Sequence, residues 1–291
     1  MPKNHSIKML LRTGTAQLQQ VLANPESAFF ETNLLLQQVL NVNRAWLITH
    51  EEDTLAPNQQ LAFEALLQRR IDGEPMAYIL GEREFYGMHL KVTPSTLIPR
   101  PDTEILVEIA LNIIQQNVYK HILDLGTGTG AIALAIAKQC PNVLVTAVEA
   151  SEDALKVAQE NAFNLKISNV QFVLSDWFDA LQGNSFDVIV SNPPYIEAND
   201  AHLSQGDVRF EPRSALVSGE DGLDDIRHII THAPQYLNPL GWLIFEHGYN
   251  QAKAVAALLH NAGFSHVETV MDLGGNDRVT FGRLSILMPK N

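Results

Sequence analysis

The sequence predicts an α/β fold with a doubly wound, Rossmann-like sheet, preceded by a small N-terminal helical bundle. Three observations carry this expectation. Beyond residue 100, short apolar runs alternate with amphipathic segments, the pattern of a mostly parallel sheet covered on both faces. The first of those runs ends in a glycine-rich turn that opens directly into a helical segment. Before residue 75 the apolar residues recur only at helical spacing.

Residues 6–71 read as three or more short helices. Leu10, Leu11, Leu18, Val21 and Leu22 share one periodic face, and Leu34, Leu35, Leu36, Val39 and Leu40 another. A further helix opens after Pro57, carries Leu61, Phe63, Leu66, Leu67 and Ile71, and stops at Gly73. From Gly81 to Arg100 the pattern becomes strand-like through Phe85, Tyr86, Met88, Leu90 and Val92, with Gly87 as turn or bulge. The chain therefore divides into a helical domain (1–80), a β-hairpin linker (81–100) and a sheet domain (101–291). Asp102 and Thr103 can cap a helix running to about Gln116. Strands are expected at 121–125, 143–148, 170–174, 186–190, 241–246, 266–271 and 278–284, with helices near 130–139, 151–163, 222–235 and 249–261. The last two strands flank Gly274-Gly275-Asn276-Asp277 with no helix between them, so they should form an antiparallel hairpin at the sheet edge.

Composition narrows the function. The chain has 291 residues, 46% hydrophobic and 18% charged, ordinary values for a globular enzyme. A formal net charge of -13 argues against a protein held mainly by nucleic-acid phosphates and is compatible with a basic protein partner or a merely solvated surface. A single cysteine, Cys140, excludes an intramolecular disulfide and a cysteine-based metal cluster, and no metal site is expected. There is neither an uninterrupted apolar signal region nor a stretch of 18 apolar residues, so a cytoplasmic, membrane-free location is expected.

The first strand runs into Asp124-Leu125-Gly126-Thr127-Gly128-Thr129-Gly130. Glycines at alternate positions permit a tight turn that a ligand can approach closely. The spacing is neither that of a dinucleotide fingerprint nor that of a phosphate-binding P-loop. Asp124 would repel a pyrophosphate but suit an ammonium, which S-adenosylmethionine provides without any phosphate. Glu149, ending the second strand, can accept from both ribose hydroxyls. Asp176 and Trp177, after the third, can meet the adenine amine and the purine face. Each also has a plainer reading: a tight turn, a solvated acid, a core tryptophan.

The fourth strand ends in Ser191-Asn192-Pro193-Pro194-Tyr195, the most specific feature of the chain. A planar amide or amine has two N–H donors and a lone pair delocalised into a π system. Asn192 can accept from one N–H through its side-chain carbonyl, and the Pro193 carbonyl, held by consecutive prolines of fixed φ, from the other. Tyr195 offers a flat face. The chemistry needs positioning and desolvation rather than a metal or a strong base.

With these motifs in view, the sequence closely resembles bacterial protein-(glutamine-N5) methyltransferases that modify class I peptide chain release factors in translation termination. The resemblance extends through residues 74–85, 97–104, 210–216 and 274–279, besides the glycine loop and Asn192–Tyr195. It implies a class I methyltransferase sheet and a helical domain that recognises the release factor. It also implies that Asn192, Pro193, Pro194 and Tyr195 contact the substrate glutamine. The Gly126–Gly130 loop, Glu149, Trp177 and Asn192 would contact S-adenosylmethionine, which leaves as S-adenosylhomocysteine. Family members commonly carry Asp at the position of Glu149, so the ribose geometry there is open. A ribosomal-protein glutamine methyltransferase shares the architecture, and a DNA adenine-N6 methyltransferase shares the Asn-Pro-Pro-Tyr logic. The second would normally carry a basic recognition region, which is lacking here. The Arg100-Pro101-Asp102-Thr103-Glu104 motif favours the release-factor branch over the first.

Overall fold

A computed structural model describes residues 5–285. Two compact units are present: residues 1–82 with 201–210, and residues 83–200 with 211–291.

The first unit is helical: α1 (Ile7–Leu18), α2 (Ala28–Leu40), α3 (Arg44–Thr49), α4 (Pro57–Ile71) and α5 (Met76–Leu80). Ser6 and Asn43 cap α1 and α3 by accepting backbone N–H groups from Met9 and Trp46, and Pro57 starts α4 where a missing N–H costs nothing. Leu10, Leu18, Leu35, Leu36, Phe63 and Leu67 meet in one apolar core. The segment 201–210 joins this unit through polar contacts. Arg70, paired with Glu31 at 2.6 Å, also reaches Asp207 at 3.4 Å, and Arg209 donates to the Asp72 carbonyl at 3.2 Å. The sequence reading placed 201–210 within the sheet domain. Nothing local in the segment signals these contacts, which span 137 residues of chain.

In the second unit a hairpin of β1 (Glu82–Phe85) and β2 (Met88–Lys91) turns at Tyr86 and Gly87, both with positive φ (49° and 69°), the twist a two-residue hairpin requires. After it come α6 (Glu104–Gln115), β3 (His121–Leu125), α7 (Ala131–Gln139), β4 (Leu144–Glu149), α8 (Glu152–Leu165), β5 (Val170–Leu174), β6 (Phe186–Ser191), α9 (Asp224–His232), β7 (Leu237–Glu246), α10 (Ala252–Asn261), β8 (Phe264–Met271) and β9 (Asp277–Leu284). Asn161 of α8 brackets Lys91, accepting from its N–H at 2.7 Å and donating to its carbonyl at 3.0 Å. The hairpin is thereby tied to the sheet unit.

The seven-stranded sheet has the order β5-β4-β3-β6-β7-β9-β8, parallel from β5 to β7 and antiparallel through β9 and β8. Alternation along each strand feeds two cores. Ile122, Val145, Val188, Val190 and Ile244 face α6 and α7. Leu123, Leu125, Val148, Ile189, Leu243 and Phe245 face α9 and α10. Burial on both faces is why these strands read as nearly continuous apolar runs. Strand order reverses between β3 and β6, and open α/β sheets bind ligands at such a switch point, beyond the carboxyl ends of the strands.

Candidate functional site

Four of the motifs read from the sequence lie at that edge. In sheet order, the turns after β5 (Ser175–Trp177), β4 (Glu149–Ser151), β3 (Gly126–Gly130) and β6 (Asn192–Tyr195) stand side by side. From these turns Ser175–Trp177, Glu149–Ser151, Gly126, Gly128, Asn192 and Pro194 line a cavity of about 460 Å³ together with Pro94–Leu97, Pro212 and Ser214, whereas Pro193 and Tyr195 are not on its wall. That volume suits a small cofactor.

The glycine turn is built as its spacing requires. Gly126, Gly128 and Gly130 all have positive φ (72°, 56° and 83°), a region that side chains resist. A Cβ on Gly128 would meet nothing within 4 Å, whereas one on Gly130 would lie 3.0 Å from Leu134 and 3.3 Å from Ala158. Gly128 therefore faces the cavity, and Gly130 lets α7 pack closely. Asp124 lies behind the turn, fully buried, and its Oδ2 accepts from the Thr127 hydroxyl at 2.6 Å and from the Ala133 N–H at 3.2 Å. It thus satisfies the first turn of α7. Its Oδ1 has no hydrogen-bond partner among the described residues. Burial pushes the Asp124 pKa up to about 7; Thr127 and Ala133 oppose this, and Glu149 adds to it. Thr127, Thr129 and Gly130, like Asp124, lie behind the cavity wall, while Gly126 and Gly128 form it.

Glu149 is half-buried on the wall. Its Oε2 accepts from the Gly128 N–H at 2.9 Å and its Oε1 from the Ser151 N–H at 3.0 Å. Each oxygen keeps a lone pair for a ligand, and the longer side chain reaches the glycine loop itself. Trp177 has φ 41°, a strained value for a bulky residue, and its ring would lie 3.6 Å from a Cβ on Gly126. Asp176 is exposed at the rim. The acids on the wall are Glu149, Asp176 and Asp225, and no Lys or Arg is among its described residues. This donor set disfavours a phosphate and suits a cationic ligand.

Asn192 and Pro194 line the same cavity, and the loop they belong to is fixed from several sides. The Ser191 hydroxyl donates to the Leu125 carbonyl at 2.8 Å, and the Gln251 side chain donates to the Tyr195 carbonyl at 3.0 Å. Asn192 spends its Nδ2 on the Thr103 hydroxyl at 3.2 Å, so its carbonyl Oδ1 is the end left to accept. The Tyr195 hydroxyl donates to Glu246 at 3.2 Å, and burial pushes its pKa up.

Residues 102–209 match the profile of the methyltransferase small domain, and residues 9–81 that of the PrmC N-terminal domain. The chain is 52% identical over 279 residues to a release factor glutamine methyltransferase of Vibrio cholerae, covering 96% of both chains. It is 48% identical to that of Escherichia coli, covering 94% of this chain and 97% of the relative. The chain belongs to the release factor glutamine methyltransferase family. The fold alone is shared with a methyltransferase from Pyrococcus furiosus, at a TM-score of 0.51 and 19% identity over 75% of this chain and 98% of that one.

The structure also explains two of the family-like motifs and exposes residues the sequence reading left without a role. Glu211 of the 210–216 motif accepts from the Ile98 N–H at 3.2 Å and pairs with Arg100 at 2.5 Å, so the 97–104 and 210–216 segments are tied together at the buried Glu211 carboxylate. Glu246 and Gln251 were missed, and Thr103, expected only as a helix cap, makes no side-chain cap hydrogen bond and instead accepts from Asn192 Nδ2. For Glu246 a signal existed: like Glu149, it is a lone acid ending an apolar strand at the ligand-binding edge.

Proposed function

We propose that this protein transfers the methyl group of S-adenosylmethionine to the side-chain amide nitrogen of the glutamine in the Gly-Gly-Gln motif of a class I peptide chain release factor. The observation that carries the reading is the acceptor polarity of Asn192 beside a phosphate-averse cavity. An amide nitrogen can be methylated there only if its N–H groups meet acceptors.

The residues present fit S-adenosylmethionine. Asp124 places a buried carboxylate behind the glycine turn, where its charge favours an ammonium across the wall, Gly128 gives open backbone, Glu149 has two lone pairs for ribose hydroxyls, and Trp177 offers a ring face. The cofactor supplies an electrophilic methyl on a sulfonium. Asn192 and the Pro193 carbonyl accept from the two N–H groups and direct the lone pair toward that methyl, while Tyr195 flanks the amide plane. With the cofactor bound, the nitrogen would gain the methyl, the sulfur would keep the C–S electron pair, and one N–H proton would pass to solvent. Fixed acceptors near a nitrogen that becomes positive stabilise the transition state more than the ground state.

The helical unit holds none of these groups, which supports its assignment as the recognition domain. Two glycines before the target let the partner backbone run close past Asn192 and Tyr195. No helix among the described residues is long and apolar enough to cross a membrane. The test is transfer of labelled methyl to a purified release factor, to a Gly-Gly-Gln peptide and to DNA. Efficient labelling of the intact factor, weak labelling of the peptide and none of DNA is expected. Labelling of DNA alone would overturn the assignment.

A further inference from the structure

The helical unit carries a groove that the chemistry at the sheet edge does not use. α1 turns one face inward, where Ile7, Leu10, Gly14 and Leu18 are buried. A second face, Lys8, Leu11, Arg12, Thr15, Ala16 and Gln19, follows the helical repeat and lines an open cavity of about 610 Å³. The opposite walls come from Phe29 of α2 and from Arg44, Leu47 and Ile48 of α3. Leu47 is buried at 1% exposure, while Phe29 and Ile48 stand 50% and 63% exposed. From Lys8 to Gln19 the stripe on α1 covers about 17 Å, or about three turns. An apolar trough of that length between helices suits a further amphipathic helix laid into it.

The charges decide what such a helix must carry. The whole chain has a formal net charge of -13. The groove has the opposite balance, with Lys8, Arg12 and Arg44 against Glu51 alone, and Glu51 is already paired with Lys8 at 3.1 Å. Elsewhere Arg69, Arg70, Arg100, Arg227 and Arg278 each sit in an ion pair. The guanidinium groups of Arg12 and Arg44 are exposed and have no partner among the described residues. Two unpaired cations beside exposed apolar side chains are complementary to carboxylates flanking an apolar stripe. On a surface that is otherwise acidic, they also fix where an acidic segment can land.

We propose that this groove is the docking site for an amphipathic helix of the protein substrate, one with apolar residues on one face and carboxylates beside them, distant in sequence from the methylated glutamine. The site depends on the release-factor reading of the substrate. It adds to that reading the face of the helical unit that is used and the chemistry it selects. Binding energy gained here is remote from the reacting nitrogen and unchanged during transfer, so it enters KM for the intact partner and not kcat.

Two double variants of the full-length enzyme test this, Arg12→Glu with Arg44→Glu and Phe29→Ser with Ile48→Ser. Each should raise KM for the intact release factor by about tenfold or more. In both, kcat, Kd for S-adenosylmethionine and activity on a Gly-Gly-Gln peptide should stay within about twofold of wild type. KM of the wild type should rise with salt, and that of the charge-reversed variant should not. Unchanged KM in both variants, or a loss on the peptide as large as on the intact factor, would overturn the proposal. So would an RNA oligonucleotide whose binding is lost on charge reversal while KM for the release factor is unchanged, since the cations would then serve nucleic acid. All four side chains are exposed, and should one double variant not fold, the other decides. Wild type run alongside separates the two readings. If it methylates the factor and the variants match it, only the groove fails; if it does not methylate the factor at all, the substrate reading fails and the groove with it.

Discussion

Replacing Asp124 by Asn removes a buried carboxylate with an isosteric amide and should leave a clear pH signature. Burial raises the folded-state pKa from 3.8 to about 7. Across that window the folded protein binds more protons than the unfolded one, so this group makes stability fall as pH rises. The interval from 3.8 to about 7 corresponds to roughly 4 kcal/mol of lost stability once the group is ionised in the fold. Asn still accepts from Thr127 and Ala133 through its carbonyl, but buries an unpaired amide at about 1–3 kcal/mol. The variant should therefore exceed wild type by about 1–3 kcal/mol at pH 8, and lose this advantage near pH 4. Cofactor binding gives an independent reading. An ammonium in the cavity, across the glycine turn from Asp124, favours the carboxylate, so wild type should release protons on binding near pH 7, and Asp124→Asn should not. Urea denaturation at both pH values, and calorimetry in buffers of different ionisation enthalpy, measure the two effects. An unchanged stability profile together with unchanged proton release in the variant would refute the reasoning.

Three further outcomes follow from the same geometry. Asn192→Ala should leave the fold intact and lower turnover by about 10²–10³, and wild-type turnover in steady-state kinetics would remove Asn192 from its role. Glu149→Ala should weaken S-adenosylmethionine binding by roughly 1.5–3 kcal/mol, the range for hydrogen bonds to a charged group, with Glu149→Asp milder; calorimetry with unchanged affinity would count against it. Gly130→Ala combines positive φ with a 3.0 Å approach to Leu134, and should lower stability by about 1–3 kcal/mol in denaturant titration. No loss there would contradict the packing role given to that glycine.

Much of this was legible in the sequence, for reasons that can be stated residue by residue. Strands β3 and β5 have the expected bounds because they are short apolar runs with turn residues on both sides. β7 begins at Leu237, four residues early, because Asn238-Pro239-Leu240-Gly241 reads locally as a turn. Leu240 does adopt φ 64°, and the register shifts between Phe186 and Val188 to accommodate it. β8 likewise starts at Phe264 and bulges at His266. The five-residue α5 is too short for a helical period to show. In the site, Gly126, Gly128, Glu149, Asp176, Trp177 and Asn192 were legible because each follows a strand at the ligand-binding edge. The partners that orient them were not. Thr103 reaches Asn192 across 89 residues and Glu246 reaches Tyr195 across 51, and such pairings exist only once the sheet has formed.

The central claim is that the glutamine amide nitrogen is the atom methylated. Tandem mass spectrometry of a class I release factor incubated with enzyme and S-adenosylmethionine tests it directly. A variant factor with the tip glutamine replaced serves as the control. The account predicts one added methyl on the side-chain nitrogen of the Gly-Gly-Gln glutamine, absent from the variant. A methyl on any other residue, or equal labelling of both proteins, would contradict it.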